Sequence, residues 1–325
     1  MKEPLLAIRD LAVHFTTEDG LVKAVDGVSL DVEKGETLGV VGESGSGKSV
    51  TFMSILGLVP CPPGRIAGGS AVLGGADLLR ADAEALRRVR GRKIAMIFQD
   101  PMTSLNPYMR IGRQIAEVLE THLATPRREA EARAIELLRL VKVPDPERRA
   151  REYPHQFSGG MRQRAMIAMA LACAPEVLIA DEPTTALDVT IQAQVLALLR
   201  ELQQRLGMAI VLITHDLGVV AGMADRVAVM YAGRVIESGP AEDVFVRPRH
   251  PYTLGLLRSR PRIDATRGEP LWSIPGAPPA PGRVPAGCPF QPRCSFAVDA
   301  CRALYPPART VGEGHTVSCH VEAVA

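Results

Sequence analysis

The stretch from Gly42 to Ser49 reads GESGSGKS, and its spacing of glycines, lysine and hydroxyl is an arrangement that holds a polyphosphate. Backbone N–H groups of Gly42, Glu43, Ser44, Gly45, Ser46, Gly47 and onward to Val50 can face the phosphates in such a loop. Lys48 then reaches the outer phosphates, and the Ser49 hydroxyl takes a place on Mg²⁺. The pattern therefore predicts a bound nucleoside triphosphate with its metal ion. A merely flexible turn would use the glycines but leave the Lys48-Ser49 pair unexplained.

The flanking segments are what such a loop requires. Thr37 to Val41 (TLGVV) is a short apolar run that reads as a buried parallel strand. Val50 to Leu58 reads as a helix whose N-terminal amides and dipole face the phosphates. In Gly27 to Val32, Val28, Leu30 and Val32 share one face while Ser29 and Asp31 take the other, the period of a half-exposed antiparallel strand; Leu5 to Phe15 reads similarly. Apolar runs at Ile94 to Phe98, Val177 to Ala180, Ala209 to Ile213 and Val227 to Met230 alternate with helical patterns, which predicts a doubly wound parallel α/β sheet. Tyr108 to Val143 turns helical, with Ala134, Leu137, Leu138 and Val141 on one stripe, and reads as a helical insert.

Bulk properties narrow the function. The chain has 325 residues, enough for two domains or for one with a large appendage. Its 38 basic and 36 acidic residues leave a net charge of +2, which gives no global field for holding nucleic acid or an anionic membrane. Met1 to Leu6 (MKEPLL) lacks the apolar core of a signal peptide, and no uninterrupted apolar stretch approaches membrane-spanning length, so a cytosolic chain that meets a membrane through a partner is expected. Of 26 prolines, 14 fall between Pro240 and Pro307, which predicts a loop-rich tail with Trp272 and Ile274 as its anchors. Four of the six cysteines lie in that tail, and in a reducing compartment such a group points to metal or redox chemistry rather than to disulfides.

Further strings sort the nucleotide chemistry. Val177 to Pro183 (VLIADEP) is an apolar strand ending in two acids. Asp181 would hold Mg²⁺ through water and Glu182 would polarise an attacking water. Phe157 to Arg164 (FSGGMRQR) opens a helix at Ser158, Gly159 and Gly160, whose amides could meet a γ-phosphate. With these strings in this order the chain resembles the ATP-binding-cassette family, whose signature is LSGGQ; Phe157 and Met161 replace its first and last residues. The resemblance implies that Gln99 is the Q-loop glutamine touching Mg²⁺ and the attacking water. It implies that His215 is the switch histidine on the γ-phosphate, that Asp188 is the D-loop aspartate, and that Phe15 stacks on adenine. It also implies ATP as the nucleotide, and hydrolysis at a dimer interface where Ser158, Gly159, Gly160 and Met161 act on the partner's site. The fold so implied is a P-loop ATPase core with a parallel sheet, an antiparallel β subdomain and a helical insert, within a cassette over residues 1–245 whose helical subdomain covers about 100–160, followed by a Pro/Cys-rich extension over 246–325.

Within the family, QDPMTSLNP (Gln99 to Pro107), HQFSGGMRQR (His155 to Arg164) and RPRHPYT (Arg247 to Thr253) resemble the oligopeptide and dipeptide importer branch. The branch implies peptide cargo, with nickel or another small solute as the alternative. It also implies a second cassette, by preference a paralogue, two transmembrane permease subunits and an extracytoplasmic solute-binding protein, with this chain peripheral on the cytoplasmic face of the inner membrane. Cys288, Cys294, Cys301 and Cys319 are separated by five, six and seventeen residues, unlike common zinc ribbons. Some members of the branch carry a [4Fe–4S] cluster on a similar segment, which makes that cluster the favoured reading. Zn²⁺ with His315 or His320 as substitute ligand, or plain reduced cysteines packed as small hydrophobes, are the alternatives. Two other classes remain at this stage. One is a soluble cassette protein of DNA repair or translation, which usually carries two cassettes or a long coiled coil. The other is a module that binds ATP without cleaving it, against which Glu182 and His215 argue.

Overall fold

The structure, a computed structural model, describes residues 3–18, 20–185, 187–259 and 272–322. Met1 and Lys2 of the N-terminal reading, and residues 260–271 of the proline-rich tail, lie outside the described residues. The chain forms two compact units, one built chiefly from Val32–Thr37 and Ala81–Ile213, the other from Pro4–Asp31, Leu38–Arg80 and the chain from Thr214 onward.

In the first unit, three strands run parallel: Ile94–Ile97 pairs with Val177–Asp181, which pairs with Ala209–Thr214. The residues of the last two strands are all buried, which is why they read as unbroken apolar runs instead of alternating. The apolar run predicts that Phe98 continues the first strand; the strand stops at Ile97, and Phe98 is exposed. The helical insert holds Ile111–Leu123, Arg127–Leu140 and, opening within the signature string, Gly159–Leu171. The predicted stripe of Ala134, Leu137, Leu138 and Val141 is buried, and each such Leu contributes roughly 2 kcal/mol by leaving water.

The second unit carries two sheets. One is antiparallel, with Leu6–Thr17 paired to Gly64–Leu73, flanked by Gly20–Val32 on one side and the short strand Ala76–Asp77 on the other. Val28, Leu30 and Val32 are buried and Ser29 is exposed, as the alternation requires. In the other, Thr37–Val41 runs parallel to Arg226–Tyr231, which continues antiparallel into Arg234–Pro240. The tail then adds a hairpin, Arg309–Gly312 with His315–Val317, onto Arg234–Pro240. The same tail places Phe290, Cys288 and Cys301 in one apolar core with Val41, Val229 and Tyr231. Trp272 and Ile274 lie against Gly255 of the helix Pro251–Arg258.

Candidate functional site

The phosphate loop leaves the buried strand Thr37–Val41 and enters the helix Lys48–Ile55 through Gly47, whose φ of 98° is left-handed. A Cβ at Gly47 would be driven into the Ala24 carbonyl, and one at Gly42 into the Met230 carbonyl, so both glycines are demanded by close backbone approach. Lys48 is buried, and its Nζ donates to the carbonyls of Gly42 at 2.8 Å and Glu43 at 2.9 Å. Thr51 Oγ1 donates to the Gly47 carbonyl at 2.8 Å, and Gly233 N–H to the Ser46 carbonyl at 3.0 Å. These bonds set the loop's curvature around the lysine, and the amides of such a loop can cradle a polyphosphate.

Glu43 is tied down on its outer side. Its N–H donates to Tyr252 Oη at 2.8 Å, and its carboxylate takes both arms of Arg293, at 2.7 and 3.0 Å. Arg293 also donates from Nε to the Pro275 carbonyl at 3.0 Å and from Nη1 to Tyr231 Oη at 3.3 Å. These partners, the Glu43 bond above all, raise the guanidinium still further above its ordinary range, while burial opposes them. Burial pushes the Tyr252 phenol well above its usual value. The tail residues Pro278, Pro279 and Pro281 line a cavity of about 300 Å³ together with Glu43, Ser44 and Ser46. Nothing in the sequence announced this network: Arg293 follows Glu43 by 250 positions.

In the parallel-stranded unit, Asp181 ends the strand Val177–Asp181 and is buried. Glu182 follows with φ 46°, a left-handed backbone that a non-glycine residue adopts only at a cost. Its N–H donates to the Ile213 carbonyl at 2.8 Å. Its carboxylate accepts from Gln99 Nε2 at 2.8 Å and from Thr185 Oγ1 at 2.9 Å. The structure thus joins two residues that the sequence could only name apart. The segment after Gln99 is held at its far end by buried Gln114, which exchanges hydrogen bonds with the Asn106 backbone and donates to the Met109 carbonyl. Ser158 caps the helix Gly159–Leu171, its Oγ accepting from Met161 N–H at 3.4 Å, so Gly159 and Gly160 stand at a helix N-terminus as expected. Asp188 caps the helix Val189–Leu206, with Oδ1 accepting from Ile191 N–H at 2.9 Å. In the other unit, His215 is exposed just beyond the strand Ala209–Thr214. Phe15 is half-buried there, its ring close beside Gly64.

The four tail cysteines share one neighbourhood: Cys288, Cys301 and Cys319 are buried and Cys294 partly so. Burial pushes the Cys288 thiol up to about 11, and the other three thiols add to it. Burial also raises Cys294 and Cys319. Among the described residues, no three His, Cys, Asp or Glu side chains are gathered so as to hold a metal ion as they stand. The histidines considered as substitute ligands are engaged elsewhere: His315 Nε2 lies 2.8 Å from Glu237 Oε1, and His320 Nε2 lies 3.0 Å from the Leu304 carbonyl.

Residues 25–185 match the family model described as ABC transporter, and residues 236–301 match the C-terminal region of oligopeptide/dipeptide transporters. A putative peptide import ATP-binding protein of Brucella abortus is 56% identical over 98% of this chain and 97% of its own length. The chain belongs to the ABC transporter family, in its oligopeptide/dipeptide branch. The oligopeptide transport ATP-binding protein OppD of Escherichia coli is 53% identical to this cassette, covering 98% of it and 93% of OppD. Among solved structures, a dimeric ATP-binding cassette in a post-hydrolysis state with ADP and Pi matches with a TM-score of 0.65 and 27% identity, over 73% of this chain and 98% of that one. The cassette cbiO1 of Clostridium perfringens, part of the ABC transporter complex cbiONQ, matches with a TM-score of 0.64 and 27% identity over 75% of this chain and 92% of its own. The cassette is an ATPase with the P-loop fold. No helix among its described residues is long and apolar enough to cross a membrane.

Proposed function

We propose that this chain is the ATP-hydrolysing subunit of an importer for di- or oligopeptides, peripheral on the cytoplasmic face of the inner membrane. It would work with a second, paralogous cassette, two permease subunits and an external solute-binding protein. The observation that supports the cargo most directly is the near full-length identity to peptide import ATP-binding proteins, with the C-terminal region of that branch present in the same chain. In this reading residues 1–245 are the cassette, with its helical subdomain at about 100–160, and 246–325 are the extension. Lys48 and the loop amides grip ATP, Ser49, Asp181 and Gln99 serve Mg²⁺, and Phe15 meets the adenine. Glu182, held by Gln99 and Thr185, polarises the attacking water, and His215 contacts the γ-phosphate. Ser158 to Met161 close over the facing cassette's nucleotide, and Asp188 links the two sites.

The physical consequence is an ATP-driven clamp, because one chain supplies only one side of each site. ATP closes the two cassettes, and hydrolysis with phosphate release separates them. The movement passes to the permeases through the helical insert and the Gln99 segment.

For the tail we infer a [4Fe–4S] cluster on Cys288, Cys294, Cys301 and Cys319, with Zn²⁺ as the alternative. The support is chemical: four thiols close enough to influence one another, in one proline-rich segment. Metal binding would draw the thiols together, as coupled folding of small metal sites does. Such a group would staple the extension, and no step of hydrolysis is assigned to it.

The test is purification of the native complex from detergent-solubilised membranes. Two membrane proteins and a second cassette should accompany this chain, and turnover per cassette should exceed that of the isolated chain by at least about tenfold, the effect of completing a transition-state site. Full-speed turnover by isolated monomers, or tight peptide binding by the chain alone, would overturn the proposal.

A further inference from the structure

The C-terminal extension holds the phosphate loop through the side chains of Arg293 and Tyr252. Arg293 has only 6% of its side chain exposed and grips both carboxylate oxygens of Glu43, the second residue of the phosphate loop. The grip is braced from behind by the Pro275 carbonyl and Tyr231 Oη. Tyr231, Tyr252 and Phe290 form a ring-against-ring platform, with centroids 4.6 to 5.4 Å apart, and Tyr252 takes the Glu43 N–H. The backbone and the side chain of Glu43 are therefore both held by residues from the C-terminal part of the chain.

A carboxylate is an unexpected group in a loop built to receive a polyphosphate, since two anions close together repel. A planar guanidinium in bidentate contact neutralises it and fixes its direction at once, which a lysine cannot do as well. We propose that Arg293 is a positioning residue of the ATP site: it cancels the charge of Glu43 and locks the first turn of the phosphate loop in the shape that receives nucleotide. The extension thereby acts on nucleotide affinity as well as on the fold of its own segment. The inference rests on the ATPase reading, and a Lys48→Ala variant separates the two. Lys48→Ala should lose ATP binding; if it does not, it is the assignment of the ATP site that fails.

The experiment is equilibrium titration of the full-length chain with MgATP, with thermal unfolding as a check on folding. Arg293→Gln leaves the Glu43 charge exposed and should weaken ATP binding about tenfold, equivalent to ~1.4 kcal/mol. Adding Glu43→Gln to that variant should restore affinity to within about threefold of the starting protein, because the repelling charge is gone. Arg293→Lys should fall between. A structural role alone predicts no such rescue, so a double variant as weak as Arg293→Gln overturns the proposal, as does an Arg293→Gln variant that binds normally. Should Arg293→Gln fail to fold, Arg293→Lys decides: weaker ATP binding that an added Glu43→Gln restores supports the proposal, and normal binding, or weakening that Glu43→Gln does not restore, overturns it.

Discussion

Glu182 carries a strained backbone, and its carboxylate is held from two directions by Gln99 and Thr185. Such over-determination fixes the direction of a carboxylate before substrate arrives, which is what a general base needs. In the proposed importer, Glu182→Gln would keep the shape and remove the carboxylate that is proposed as the base. ATP affinity should stay within about threefold while turnover falls by roughly 10² to 10⁴, the usual contribution of a positioned base. Single-turnover hydrolysis alongside ATP titration checks both halves, and undiminished turnover removes Glu182 from this role. At this scale the phosphate loop was legible because its chemistry is local: Lys48 bonds the carbonyls of residues five and six positions away. The clamp on Glu43 was not legible, since a glutamate within such a loop and an arginine 250 positions later carry no mutual signal.

Among the elements, the helix Pro251–Arg258 begins at His250, whose Nδ1 accepts from Tyr252 N–H at 3.0 Å. The ring's other nitrogen, Nε2, is buried and has no hydrogen-bond partner among the described residues. Burial lowers the His250 pKa from 6.5 to about 3. The unfolded chain therefore takes up a proton at this residue below pH 6.5 while the folded chain resists until about pH 3. Stability contributed here is full above the higher value and is lost as pH falls through that window, by up to ~1.4 kcal/mol per pH unit. His250→Asn retains a capping side chain and removes the titration. Unfolding free energies measured from pH 7 to 4 should fall less steeply in His250→Asn, and an unchanged slope would show that His250 does not titrate in this way. Strands such as Val177–Asp181 were legible as apolar runs, and Arg127–Leu140 as an amphipathic stripe, because burial imposes those periods directly. The tail hairpin Arg309–Gly312 with His315–Val317 was missed, since strands of four and three residues are too short to show a period.

For the molecule as a whole, the tail joins the core of its unit instead of trailing from it, with Cys288, Phe290 and Cys301 packed beside Val41 and Tyr231. If the four cysteines hold a cluster, protein prepared without oxygen should contain about four iron and four sulfide per chain, with zinc well below stoichiometry. It should also lose thermal stability on chelation. Colourless protein free of iron and of the chelation effect would leave the cysteines as ordinary buried thiols.

By itself the sequence determined the nucleotide, the α/β core and the two acids after Val177–Asp181, because phosphate binding and strand burial are written in short spacings and periods. Only the tertiary structure decided that Gln99 meets Glu182, and that a proline-rich tail sends Arg293 to the phosphate loop. Contacts between segments far apart along the chain depend on where the whole fold brings them, and no local pattern records that.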